Sequence, residues 1–176
     1  MSVSQQARVS TVIELPMAQV WEKLQDFSQA HNYVPGLTDT QIVSEQSRGA
    51  GAHRRVYSGK RYLEETISDW REGSGFTIRL HKGEKPMPPF KQAEFVYQLS
   101  EESDRQTLVE LTLGFTMPLG GLGRFLGSRV VTPGIHKQLI GVAAGMKHFY
   151  ETGEPASNKD RARLAGAVKI CPAGES

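Results

Sequence analysis

Glu64 and Glu65 stand side by side within an alternating stretch, Arg61–Trp70. Successive side chains of a strand point to opposite faces, so one carboxylate turns inward and the other toward solvent. An inward carboxylate could work as a general acid or base, because burial raises its pKa. The competing chemistry is an ion pair, with Arg54 and Arg55 in reach across a hairpin. Glu65 is the single catalytic candidate. His31, His53, His81, His136 and His148 are scattered, with no His-x-x-x-His and third ligand, so no metal site is expected. The chain also lacks Gly-x-Ser-x-Gly, a Cys/His pair and a dinucleotide fingerprint, and nothing in it calls for a cofactor. Cys171 stands alone, far along the chain. Tyr57, Tyr62 and Tyr97 could each donate a hydrogen bond to a ligand carbonyl or hydroxyl. Tyr97 leads, since it shares strand parity with Phe95. His136 follows Pro133-Gly134 and is a further ligand contact by position. Arg124 and Arg129 read as the solvated side of their turn.

These groups need a scaffold. Ala7–Glu14 alternates as a strand, and Leu15-Pro16 opens a helix that buries Val20, Trp21, Leu24 and Phe27. Ser28 caps a second short helix, Gln29–Tyr33, ended by Pro35-Gly36. Six more strands follow: Thr38–Glu45, Gly51–Tyr57, Arg61–Trp70, Gly75–His81, Gln92–Ser100 and Thr107–Met117. Turn-length connections make them an antiparallel meander, covered on one face. Lys82–Lys91 holds three prolines and reads as a loop long enough to act as a lid. Gly120–Gly123 reads as a flexible gate. Leu122–Thr152 is a long helix with a kink near Thr132 before Pro133. Ile135, Leu139, Val142, Ala143, Met146, Phe149 and Tyr150 form its apolar stripe. The fold class is α+β. A curved antiparallel sheet of seven strands grips the long C-terminal helix, in the order β-α-α-β6-α.

A helix laid on a concave sheet leaves a cavity. The expected sheet-side ligand contacts are Tyr57, Phe76, Ile78, Leu80, Phe95, Tyr97, Leu111, Leu113 and Phe115. Those from the helix are Phe125, Val130 and His136. Such a lining suits a hydrophobic small molecule; the alternative is that these side chains simply fill the core.

The chain has 176 residues and a net charge of +2. That is one domain with a real core, and too little charge to imply a nucleic-acid partner. No apolar run reaches the ~20 residues of a membrane span. The opening residues lack a signal-peptide apolar region, so a cytoplasmic protein is expected, as a monomer or homodimer. Residues 1–153 form the ligand-binding domain. Residues 154–176 have no sustained stripe and read as a flexible tail.

The stretch from Val12 to Leu37 resembles the opening of the START-like, helix-grip (SRPBCC) superfamily. Its marks are Pro16, Val20-Trp21, Asp26-Phe27 and Tyr33 followed by Pro35. Gly49, Gly51 and Arg54, then Glu65 and Ile67, resemble the Gly-x-Gly-x-x-Arg and Glu-x-Ile strands of the polyketide cyclase/dehydrase-like branch, which shares the Bet v 1-like fold. Residues 118–139 resemble that branch's C-terminal helix. The resemblance covers about Ala7 to Thr152. It implies a pocket between sheet and helix, and three possible uses. The first is binding or carriage of a lipid, quinone or polyketide-like compound. The second is a cyclase or dehydrase reaction with pocket Glu and Tyr as acid and base. The third is a protein-partner module of the ribosome-associated or coenzyme Q-binding type.

Overall fold

The computed structural model describes residues 5–172, with the side chains of Arg124, Leu126 and Gly127 left aside. Residues 1–4 and 173–176 of the expected domain and tail, and the expected solvated Arg124, lie outside the described residues.

Strand β1 (Gln5–Ile13) alternates as its sequence predicts and buries Ala7, Val9 and Ile13 on the core side. Pro16 stands at the N-cap of α1 (Met17–Leu24), where a missing N–H costs no helical bond. Val20, Trp21 and Leu24 are its buried face. The second expected helix is a single 3-10 turn, Ala30–Asn32. Six longer strands follow: β2 (Asp39–Ile42), β3 (His53–Ser58), β4 (Arg61–Arg71), β5 (Gly75–Lys82), β7 (Gln92–Ser103) and β8 (Gln106–Thr116). All pair antiparallel with their neighbours. β1 closes against β8, from Gln5 opposite Phe115 to Ile13 opposite Thr107.

Among the described residues the sheet has nine strands, two more than expected. One is β6 (Lys85–Pro86), two residues of the proline loop that pair with the edge of β5. The other is β9 (Lys169–Cys171), which pairs with β1 at Arg8–Ser10. Both escape a reading based on periodicity, because so few residues cannot show a period.

After β8 the chain leaves the sheet and forms α2 (Gly120–Leu126), a π-helical turn (Gly127–Val131) and α3 (Thr132–Thr152). The break falls where Pro133 predicts it, and the proline sits harmlessly in the first turn of α3. Gly120–Gly123, expected as a flexible gate, instead belongs to α2. The predicted stripe is the buried face of α3: Ile135, Leu139, Val142, Ala143, Met146 and Tyr150 lie against the sheet, with Phe149 half-buried. Gly141 and Gly145 face the segment 33–35. A Cβ on Gly145 would lie 2.1 Å from the Tyr33 carbonyl oxygen, and one on Gly141 would lie 2.8 Å from the Pro35 ring. Only glycine lets the backbones come so close.

The described residues beyond Gly153, up to position 172, are tied to the domain. Ser157 caps α4 (Asn158–Leu164) in a reciprocal capping box with Asp160. The Ala156 amide donates to the Asn32 carbonyl at 2.8 Å, and Arg161 donates from Nε and Nη2 to the Tyr33 carbonyl at 3.3 Å. Thr11 Oγ1 donates to the Ala167 carbonyl at 3.1 Å just before β9 docks. Polar and backbone bonds hold this segment, while Ile170 stays exposed, which explains why no apolar stripe announces it. No described helix is long and apolar enough to cross a membrane.

Candidate functional site

Sheet and α3 enclose a cavity of about 630 Å³, within the range of small-molecule sites. Ile78, Leu80, Phe95, Tyr97 and Leu113 reach it from the sheet, and Ile135, Leu139 and Val142 from α3. Val34, Pro35 and Leu37 enter from the segment before β2, and Met87, Pro88 and Phe90 from the proline loop. Arg61, Tyr62 and Lys82 are exposed lining residues and mark the mouth. The wall is overwhelmingly apolar.

The polar groups gather at the deep end. Glu65 faces inward, as strand parity allows, and Arg54 meets it from the opposed register position on β3. Arg54 Nε donates to Glu65 Oε2 at 2.6 Å and Nη2 to the same oxygen, while Nη1 donates to the Phe27 carbonyl at 2.6 Å. The guanidinium carbon lies 3.8 Å from the centre of the Phe27 ring. Burial alone would lower the Arg54 pKa, yet the Glu65 charge and its hydrogen bond hold it above the ordinary value. The pair is a buried ion pair with every guanidinium nitrogen engaged. Beside it the Tyr97 hydroxyl lies 3.4 Å from that of Tyr33. Burial, then the neighbouring Tyr33, pushes the Tyr97 phenol well above its usual value, so it stays protonated and available as a donor.

The predicted contacts separate into three groups. Ile78, Leu80, Phe95, Tyr97 and Leu113 line the cavity, as do Arg54 and Glu65. Phe76, Leu111 and Phe115 share the same sheet face but are fully buried and off the lining. Phe76 packs among Phe27, Trp70 and Tyr97, and Phe115 packs against Phe90. Parity gives the face of a strand but not which of its residues neighbouring rings cover. Tyr57 donates to Gln41 Oε1 at 3.2 Å away from the cavity, because the inward residues of β3 are Arg54 and Val56. Phe125 and Val130 are exposed, and His136 is half-buried off the lining. The π turn separates the rotational phase of α2 from that of α3, so one helical wheel cannot be extended across both. Residues the sequence reading omitted, such as Met87 and Phe90, sit in the proline loop, whose lid-like position was the available signal.

Glu64 is the second surprise. It lies on the outer face of the sheet, yet is at least as buried as Glu65. Arg55 Nε donates to it at 3.1 Å, and the Gly83 amide closes on it from the β5–β6 turn. His53 Nε2 lies 3.6 Å away. His81 is locked between the Thr66 hydroxyl at 2.7 Å and the Gly83 carbonyl at 2.8 Å. The Gly83 amide, against burial and together with Arg55, holds the Glu64 carboxyl below its usual range. Burial pushes His53 down, opposed by the Glu64 charge. Among the described residues no cluster of His, Cys, Asp or Glu is arranged to hold a metal ion.

The family described as "Polyketide cyclase / dehydrase and lipid transport" matches residues 4–147. The chain belongs to this family. A START superfamily protein from Mycobacterium smegmatis superposes with a TM-score of 0.64 at 12% identity, covering 83% of this chain and 97% of that one. Ara h 8.0201 does so with 0.61 at 13% identity, over 83% and 97%. A Thermobifida fusca protein gives 0.61 at 23% identity, over 81% and 93%. These likenesses establish the Bet v 1-like fold of this polyketide cyclase/dehydrase relative. A comparison with curated proteins returns no match.

Proposed function

We propose that the protein binds and carries a hydrophobic small molecule that has one polar end. The carrying observation is a cavity of about 630 Å³ with a largely apolar wall, charged side chains at its mouth, and Arg54, Glu65 and Tyr97 buried within. A lipid, quinone or polyketide-like compound fits this pattern: apolar area supplies affinity and a few polar groups set orientation. Arg54 occupies Glu65 Oε2, which leaves Oε1 as an acceptor for a ligand hydroxyl, while the Tyr97 phenol donates to a carbonyl. The neutral fluorescent probe N-phenylnaphthylamine should bind saturably near one per chain. Leu113→Trp, which fills the cavity from β8, should abolish that binding with the melting transition retained. Absence of saturable binding to the wild-type protein would overturn the reading.

The inward carboxylate also supports a cyclase or dehydrase reaction, with Glu65 taking a proton and Tyr97 holding a carbonyl. The Arg54–Glu65 ion pair favours binding over proton transfer, since it ties one carboxylate oxygen to a buried cation. Turnover of a bound polyketide-like compound, lost in Glu65→Gln with binding kept, would reverse that order. A protein-partner module would have little need of an open interior, and the cavity argues for a small ligand ahead of it.

A further inference from the structure

Among the described residues seven large apolar side chains are exposed, and four of them lie between positions 119 and 130. These are Leu119, Leu122, Phe125 and Val130, at 73%, 62%, 58% and 67% exposure. Leu122 and Phe125 are one turn apart on α2, and Val130 lies in the π turn. The same rod then passes directly into the cavity wall, through Val131, Gly134 and Ile135. An apolar outer surface is thus continuous with the mouth of an apolar interior.

The charge around it has one sign. Residues 111–150 contain no aspartate or glutamate. The Arg129 guanidinium lies 5.7 Å from the Phe125 ring, so a cation borders the exposed aromatic. Across the mouth, Arg61 and Lys82 are exposed lining residues. The proline loop there carries three lysines against one glutamate. Apolar side chains bordered by cations, on a short surface helix, are the pattern that seats a helix in the headgroup layer of an anionic bilayer.

We infer that α2 and the π turn form a docking surface for an anionic lipid bilayer, which Leu122 and Phe125 enter while Arg129 and Lys82 meet the headgroup phosphates. Docking there sets the cavity mouth on the bilayer. This extends the carrier reading and rests on it only for ligand passage: a hydrophobic molecule moves between membrane and cavity without crossing bulk water.

The test is co-sedimentation with sucrose-loaded vesicles of phosphatidylcholine alone and of phosphatidylcholine mixed with phosphatidylglycerol. The wild-type protein should sediment with the mixed vesicles, less with neutral ones, and progressively less as salt screens the charges. Leu122→Ser/Phe125→Ser should lower partitioning by about tenfold or more, since two buried apolar side chains are lost from the bilayer. Neither residue lines the cavity, so this variant should still take up N-phenylnaphthylamine. Three results would overturn the inference: no sedimentation with either vesicle, equal sedimentation of wild type and variant, or a wild-type dimer that the variant converts to monomer without vesicle binding. The last would assign the surface to a second copy of the chain. Probe binding without vesicle binding would sink the docking surface and leave the carrier reading standing.

Discussion

Two carboxylates one residue apart carry opposite duties. Glu65 looks into the cavity and neutralises Arg54, and both side chains are buried. Glu65→Ala should therefore cost ~3–5 kcal/mol in urea denaturation, since it strands a buried cation. The double variant Arg54→Met/Glu65→Leu should recover most of that loss, because the desolvation of both charges disappears with them. A double variant as unstable as the single one would show that shape, and not charge pairing, holds the site. On the outer face, burial depresses His53 while Glu64 pulls it upward. The folded value lies below 6.5, so the folded state disfavours the imidazolium. Stability from this histidine is complete above 6.5 and is lost as pH falls from there through the folded value. Glu64→Gln removes the opposing charge, so the His53 ring should titrate at still lower pH by NMR. An upward movement would contradict the assigned balance.

The longer elements were legible because each has a period to read. The alternation of β5, β7 and β8 and the stripe of α3 bury the faces the sequence predicts, with β7 running past its expected end at Ser100 to Ser103. The buried ion pair was legible only as one of two chemistries for Glu65, because parity tells which carboxylate turns inward but not what meets it. What escaped was decided by close neighbours. Phe76 and Phe115 are sealed by other rings, and α2 departs from the phase of α3 across a π turn. The close seat of α3 on the Tyr33–Pro35 segment was also invisible, since a glycine in a helix does not say what approaches it. Gly145→Ala tests that seat. The added methyl would collide with a backbone carbonyl that cannot rotate away, and overpacking of this kind costs ~1–3 kcal/mol. Gly134→Ala, on the same helix with open space around its Cβ position, is the control and should be neutral or slightly stabilising. Equal effects at both sites would show that helix propensity, and not the contact with Tyr33, governs the outcome.

At the scale of the molecule, the sheet and its long helix are braced by the segment beyond Gly153. Deleting residues 155–176 removes the bonds from Ala156 and Arg161 to the Asn32 and Tyr33 carbonyls, and the pairing of β9 with β1. At ~1 kcal/mol net for each bond lost, the melting temperature should fall by roughly 5–10 °C. An unchanged transition by calorimetry would mean that this segment rests on the domain without supporting it. The loss reaches beyond stability. β1 is flanked by β8 on one side and only by β9 on the other, and its run Val9–Ile13 is uncharged and rich in β-branched residues. Three residues, Lys169–Cys171, cover the middle of that edge. With them gone, the β1 edges of two truncated chains are free to pair with each other. The short strand Lys169–Cys171 would then be what keeps two copies of this protein from joining into one continuous sheet.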